Sequence, residues 1–103
     1  MDFRKLIIKA IKNEKFNITR HSWKEMKDDD LELKEVFRTT FSGKVIEDYP
    51  KDLPFPSFLV YGENEKSEPV HSVWAYDNKI AVAVLITVYR PDPAKWIKFA
   101  KRR

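Results

Sequence analysis

Two histidines, His21 and His71, are the side chains of this chain best suited to move protons, because imidazole titrates near neutral pH. Tyr89 and Arg90 end a long apolar stretch, and they add a phenol and a guanidinium. Cleavage of RNA by its own 2′-hydroxyl needs a base, an acid and a cation that stabilises the phosphorane. These four residues supply the required types, and His21 and His71 suit the base and the acid in either order.

The composition excludes several other chemistries. The chain has no cysteine, which excludes thiolate metal sites and cysteine nucleophiles. Two histidines are too few for a zinc site by themselves, and although an Asp or Glu would complete a ligand set, no residue spacing indicates one. Two glycines are too few for a glycine-rich phosphate loop. Asp28-Asp29-Asp30 is better explained as charges at the start of a following helix than as a metal site. We therefore expect no metal ion and no cofactor.

Positive charge is concentrated at the two ends of the chain. Residues 1–20 carry six basic and two acidic groups, and residues 91–103 carry five basic groups and one acidic group. If the two ends lie side by side, they form a basic surface that attracts phosphates by releasing counterions. The residues expected to contact RNA are Lys95, Lys98, Lys101 and Arg102. The alternative is that these groups only complement the negative end of a terminal helix.

The length of 103 residues predicts a single domain, 1–103, with one core. The Leu6-Ile7-Ile8 run is interrupted by lysines and is far too short for a signal peptide core or a membrane span. A cytoplasmic location is expected, without a membrane partner.

Helical periodicity marks the first part of the chain. Apolar residues recur at helical spacing after Asp2, which predicts a capped helix to about Asn13. Ser22 is expected to cap a short helix over Trp23 to Lys27, and a third helix is expected over Leu33 to Phe41.

From Lys44 onward the pattern becomes alternating or continuously apolar. It predicts four strands, at Lys44–Tyr49, Ser57–Glu63, Val70–Tyr76 and Ile80–Tyr89, joined by turn sequences. Short connections imply antiparallel pairing. Asp92 and Pro93 then predict the start of a final helix. The expected fold is α+β, with N-terminal helices, a four-stranded antiparallel sheet and a C-terminal helix.

The strand register determines which side chains meet His71. A tight turn at Asp77-Asn78 places His71 opposite Val84 and puts Arg90 on the His71 face. A bulge or a one-residue slip instead brings Tyr89 to that face. Both registers remain open at the level of the sequence.

Several motifs together resemble a family of small proteins related to RelE-like and BrnT-like bacterial toxins. They are Thr19-Arg20-His21, the segments 43–49, 56–62 and 69–71, and Thr87-Val88-Tyr89-Arg90-Pro91-Asp92-Pro93-Ala94-Lys95-Trp96. The resemblance implies a RelE-like fold and a metal-independent endoribonuclease that uses His21, His71, Tyr89 and Arg90. This chain departs from the family pattern around Met26. Family members often carry arginines there that bind phosphate, whereas here Glu25 precedes Met26 and three aspartates follow it.

A catalytically inactive toxin-fold protein that binds a cognate antitoxin or another protein is the alternative, and the sequence leaves enzymatic activity uncertain. The aromatic residues expected to be exposed for such a role are Trp23, Phe55, Trp74 and Tyr76. If His21, His71 and Arg90 line one open groove, the enzyme is favoured. A buried His71 far from His21 favours the binding protein.

Overall fold

The computed structural model describes residues 2–103 as three helices and a mixed five-stranded sheet, followed by a small hairpin. The helices are α1 (Phe3–Lys12), α2 (Arg20–Asp28) and α3 (Leu33–Ser42). The sheet strands are β1 (Phe16–Ile18), β2 (Lys44–Tyr49), β3 (Ser57–Glu63), β4 (Pro69–Asp77) and β5 (Val82–Tyr89). The hairpin pairs β6 (Trp96–Ile97) with β7 (Lys101–Arg102).

The sheet order is β1-β5-β4-β3-β2, with β1 parallel to β5 and the other pairs antiparallel. The α+β class and the antiparallel arrangement of β2 to β5 agree with the sequence prediction. The prediction of a four-stranded, wholly antiparallel RelE-like sheet was wrong, because the short segment after α1 adds a parallel edge strand. The sequence predicts an extended piece around Phe16 to Thr19, but three residues carry too little pattern to show that they pair with β5.

The predicted C-terminal helix was also wrong. Asp92 does act as a cap, since its side chain accepts from the backbone N–H of Ala94 (2.9 Å), but only one turn forms. Lys98 and Phe99 then adopt positive φ values of 50° and 60°, which reverse the chain into the hairpin. The reversal lets Trp96, 3% exposed, pack on Leu59 and Val73. Burial of this indole outweighs the helical signal.

The three helices pack against one face of the sheet and enclose the main core there. Trp74 is fully buried in this layer, and its indole N–H donates to the hydroxyls of Thr40 and Ser72, each at 3.1 Å. The predicted exposure of Trp74 was therefore wrong. Gly62 allows α3 to approach β3, because a Cβ at this position would lie 2.0 Å from the carbonyl oxygen of Thr39.

The helix boundaries show how local capping residues act. Asp2 caps α1 as predicted, by accepting from the N–H groups of Arg4 and Lys5. Thr19, and not Ser22, caps α2 and accepts from the N–H of Ser22, so α2 begins earlier than predicted. This one-turn difference places His21 inside a helix.

The strand register follows the bulged alternative. A longer turn pairs Asp77 with Val82, and an irregularity after Val73 then places His71 directly opposite Tyr89. The direct register that pairs His71 with Val84 was wrong. An extra residue in β5 reverses the faces of everything beyond it, which moves Arg90 away from His71.

Candidate functional site

His71 lies on the sheet face opposite the helices, and it is completely buried. Its ring contacts the rings of Tyr61, Tyr89 and Trp96 in edge-on arrangements, with centroid distances of 5.7, 5.3 and 4.5 Å. The hairpin covers it, because Phe99 contributes its backbone carbonyl at 2.5 Å from Nε2. We call His71, Tyr61, Tyr89, Trp96 and the Phe99 carbonyl the closed cluster.

The hydrogen bonds of His71 define its tautomer. A carbonyl oxygen only accepts, so Nε2 carries the hydrogen that is donated to Phe99. Nδ1 of the neutral ring is then the acceptor for the Tyr89 hydroxyl, at 3.2 Å. Burial lowers the pKa of His71, against the opposing effect of the bond to Phe99. The imidazole is therefore neutral and has both nitrogens engaged.

Tyr89 and a charged group next to it extend the polar face. Burial raises the pKa of Tyr89 to about 12, so its phenol keeps its proton at neutral pH. Nearby, Glu47 accepts from the Tyr49 hydroxyl at 2.5 Å and from Nε of Arg102 at 2.9 Å. Burial raises the pKa of Glu47, but these two hydrogen bonds outweigh it and leave the pKa lowered. Arg102 also lies over the Trp96 ring, 4.6 Å from its centroid.

Arg90 lies away from both histidines. Its guanidinium pairs with Glu35 (3.1 Å) and donates to the backbone carbonyls of Asp29 and Asp30. Its backbone N–H donates to the Asp29 carboxylate at 2.9 Å. The aspartates thus hold the end of β5 against the connection between α2 and α3. Their expected role as charges at the start of α3 was wrong, because Glu32 occupies the cap position of that helix.

His21 is the exposed histidine, with 65% of its side chain accessible. Its Nε2 lies 2.6 Å from Oε1 of Glu25, one helical turn later, and 3.3 Å from the hydroxyl of Thr87 on β5. The Thr87 hydroxyl also donates to Glu25. We call His21, Glu25 and Thr87 the open site, since solvent reaches its imidazole directly.

The open site and the closed cluster are neighbours along β5. Thr87 pairs with Val73 and Tyr89 pairs with His71, so the two side chains are alternate residues of one strand. Alternate residues share a face and lie about 7 Å apart. Glu25 is also close enough to contribute to the raised pKa of Tyr89. The structure therefore brings His21, Tyr89 and His71 into one row, but does not join them in one open groove.

The predicted RNA contacts fall on the hairpin and its approach. Lys95, Lys98 and Lys101 are exposed, whereas Arg102 is engaged by Glu47. The hairpin covers the second face of the sheet, while α1 packs on the first. The two basic ends therefore do not form the side-by-side surface considered from the sequence.

The sequence analysis missed Glu25, Thr87, Glu47 and Tyr49 as contributors to the site. Glu25 follows His21 by four residues, a spacing that signals a contact only when both lie in one helix. Placing the helix start after His21 concealed that signal. Glu47 and Tyr49 alternate on β2, which signals a shared face but not what lies beside it.

In its class, this is a small α+β protein with helices on one sheet face, a buried His71–Tyr89 cluster on the other, and an exposed His–Glu pair of α2 that meets Thr87 of β5. Residues 18–90 match the family model described as a domain of unknown function, DUF4258, and the chain belongs to this family. No curated protein and no solved structure matches the chain. The matched residues include α2 and β5 and end before the hairpin.

Two further structural findings concern metals and membranes. Within residues 2–103, no three His, Cys, Asp or Glu side chains are grouped in a way that could hold a metal ion. Over the same described residues, no helix is long and apolar enough to cross a membrane.

Proposed function

We propose that this protein is a metal-independent cytoplasmic endoribonuclease that uses the ribose 2′-hydroxyl as nucleophile, with the open site as its proton-transfer centre. The observation that supports the proposal is the exposed imidazole of His21 held by a carboxylate and a hydroxyl. A carboxylate that orients an imidazole and stabilises its charged form is a recurrent arrangement for general base catalysis. The resemblance of the motifs to RelE-like and BrnT-like toxins supports the same chemistry.

The proposed reaction assigns a task to each group. His21 removes the proton of the 2′-hydroxyl, and Glu25 stabilises the imidazolium that forms. The 2′-oxygen attacks phosphorus, the bond to the 5′-oxygen breaks, and the leaving oxygen takes a proton from water. The products are a 2′,3′-cyclic phosphate and a 5′-hydroxyl. Arg102, whose side chain is 60% exposed, is close enough for its charge to lower the pKa of Tyr89, and it supplies positive charge for the phosphorane.

The closed cluster has a supporting role in this proposal. His71 has both ring nitrogens occupied and no exposed surface, so it positions Tyr89 and not the substrate. Because the Tyr89 hydroxyl donates its one hydrogen to His71, Tyr89 serves the substrate through its ring, on which a base stacks. Arg90 is engaged by Glu35 and fixes the end of β5. The proton-transfer role expected for His71 passes to His21.

Incubation of the purified protein with single-stranded and structured RNA in EDTA tests the proposal. We expect cleavage to continue in the chelator and to leave 2′,3′-cyclic phosphate ends, identified by mass spectrometry. His21→Ala should lower the rate by about two to four orders of magnitude, as is typical for loss of a general base. Glu25→Gln should also lower it, while Glu65→Gln, a matched change at a carboxylate whose side chain is 75% exposed, should not. Full activity in folded His21→Ala would contradict the proposal.

A second candidate function, binding of a protein partner without catalysis, is supported by a different surface. Leu33, Phe37 and Phe41 line a shallow apolar depression of about 770 Å³ on α3, next to Lys34 and Arg38. Apolar side chains one helical turn apart fit the apolar face of a partner helix, and the flanking cations suit an acidic one. An antitoxin or another protein with such a helix is the proposed partner.

The structure does not expose all of the aromatic residues that were expected to be exposed for partner binding. Trp74 is buried and Tyr76 packs against Phe3, while Trp23 is 50% exposed. Burial of His71 and the pairing of Arg90 with Glu35 mean that the expected open groove is not formed, which favours the binding protein. The exposed His21 held by Glu25 is what favours the enzyme. Folded wild-type protein that cleaves none of the RNAs would leave partner binding as the function.

A further inference from the structure

Trp23 is a large aromatic side chain that the fold leaves in solvent. It is 50% exposed on α2, whereas Trp74 and Trp96 are 0% and 3% exposed. The inner side of α2 is formed by Ser22 and Met26, both buried. Trp23 therefore contributes little to the core, and its exposed indole face is available to a ligand.

The residues around Trp23 are basic. Arg20, Lys24 and Lys27 occupy positions three before, one after and four after it, and all three are exposed. At about 100° per residue, these four side chains lie within one arc of roughly 100° on the helix surface. We call Arg20, Trp23, Lys24 and Lys27 the α2 stripe.

The acidic residues of α2 lie outside this arc. Glu25 is turned toward His21 and Thr87, and Asp28 pairs with Lys24 at 3.0 Å in an exposed contact. Exposed pairs of this kind contribute little and are readily exchanged for another anion. The α2 stripe is therefore an aromatic face surrounded by available cations.

This chemistry fits nucleic acid better than protein. The cores of protein interfaces combine aromatic residues with apolar neighbours and are depleted in lysine. The other exposed large apolar side chains are Val45, Leu53, Ile80 and Ile97, and none belongs to α2. An aromatic side chain among cations instead matches surfaces that stack unpaired bases and neutralise phosphates.

We propose that the α2 stripe binds single-stranded RNA, with one unpaired base stacked on Trp23 and the adjoining phosphates on Arg20, Lys24 and Lys27. The inference deepens the proposed endoribonuclease function and rests on it for the identity of the ligand as RNA. His21 lies about 160° around the helix from Trp23, on the side where Lys24 lies between them at about 100°. A strand that wraps around α2 from Trp23 past Lys24 therefore reaches the open site, so the stripe holds substrate next to the bond that is cleaved.

The test uses a fluorescent 2′-O-methyl oligouridylate, which lacks the 2′-hydroxyl nucleophile and so reports binding independently of cleavage. In anisotropy titrations, wild-type protein should bind the single strand more tightly than the same oligonucleotide in a duplex, whose bases are inaccessible to stacking. Trp23→Ala should weaken binding by roughly tenfold to a hundredfold, the range for loss of one stacked base. Trp23→Phe should retain most of the affinity.

Matched controls separate the α2 stripe from a general loss of affinity. Leu53→Ala removes an apolar side chain that is 88% exposed and should leave binding unchanged. Lys24→Gln should lower the log-log salt slope by about 0.7, as expected for one phosphate contact with a single strand. Because Trp23 is the exposed tryptophan, quenching of tryptophan fluorescence by the oligonucleotide should be lost in Trp23→Phe.

The outcomes distinguish this inference from the cleavage proposal. Wild-type affinity in Trp23→Ala, preference for the duplex, or no binding by wild-type protein would each overturn the α2 stripe. If Trp23-dependent binding is found but RNA is not cleaved, the stripe stands and the endoribonuclease fails. If RNA is cleaved with the same KM by wild-type protein and Trp23→Ala, the endoribonuclease stands and the stripe fails.

Discussion

The two histidines of this chain lie in opposite environments although one strand, β5, provides a partner for each. His21 is exposed and contacts Glu25 and Thr87. His71 is completely buried, with Tyr89 and the Phe99 carbonyl on its two nitrogens. The comparison shows that residue type gives the chemistry a side chain is capable of, whereas access to solvent decides whether a substrate meets it.

The difference arises from what covers each side chain. The hairpin that follows β5 closes over His71, and Trp96 holds it there by packing on Leu59 and Val73. No segment of the described residues 2–103 covers His21 to a similar extent, since most of its side chain is accessible. We therefore expect substitutions at His71 to affect stability and substitutions at His21 to affect chemistry.

Replacing His71 with alanine should give the largest change in stability. The substitution leaves a cavity and removes the hydrogen-bond partner of the half-buried Tyr89 hydroxyl and of the Phe99 carbonyl. We expect a loss of about 2 to 4 kcal/mol in the free energy of unfolding, measured with urea. His21→Ala should change it by no more than about 0.5 kcal/mol, as for an exposed site. Equal effects of the two substitutions would remove the distinction between the two histidines.

The pH dependence of stability sharpens the same comparison. Because burial lowers the pKa of folded His71 below its ordinary value of 6.5, the unfolded chain binds the proton more readily. The stabilisation is complete above the ordinary pKa and is lost as the pH falls from there toward the folded pKa. Wild-type protein should therefore lose unfolding free energy between about pH 7.5 and about pH 5.5.

His71→Gln provides the control for this pH effect, since it removes the titrating ring while keeping a polar side chain. Its loss of unfolding free energy over the same interval should be smaller than that of wild-type protein. Glu47, with a lowered pKa, adds its own dependence only below its ordinary value of 4.5 and so does not interfere. Identical pH dependence in both proteins would show that His71 is not the group responsible.

Release of the hairpin should give a smaller effect than loss of the His71 ring. Arg102→Ala removes an exposed pair with Glu47 and the contact with the Trp96 ring. Together these are worth about 1 kcal/mol, since exposed pairs and cation–π contacts are each modest. Hydrogen exchange should accelerate at the hairpin amide of Arg103, which donates to Lys95, while the amides of β4 stay protected. Unchanged exchange at Arg103 would mean that Trp96 alone holds the hairpin in place.

Much of the fold was predictable because its signals are local. The change from helical to alternating periodicity at Lys44 located β2, β3 and β4 closely, and Asp2 marked the start of α1. The parallel pairing of β1 with β5 and the hairpin were not predicted. Their positions depend on contacts with residues far away in sequence, such as β5 for Phe16 and Leu59 for Trp96.

The candidate site was predictable in its residue types but not in its grouping. Tyr89 was placed beside His71 only in the bulged register, and a bulge of one residue leaves no clear mark in an apolar run such as β5. Arg90 moved to Glu35 for the same reason. Thr87, which the direct register put on the other face, became a neighbour of His21.

The sequence by itself determined the helical and extended segments, the excess of basic residues and the small set of proton-transferring side chains, because these depend on residue type and spacing. The tertiary structure decided which histidine is exposed, which cations remain available and which aromatic side chains are buried. Those properties depend on packing between segments distant in the chain, where burial of Trp74 and Trp96 outweighs local preference.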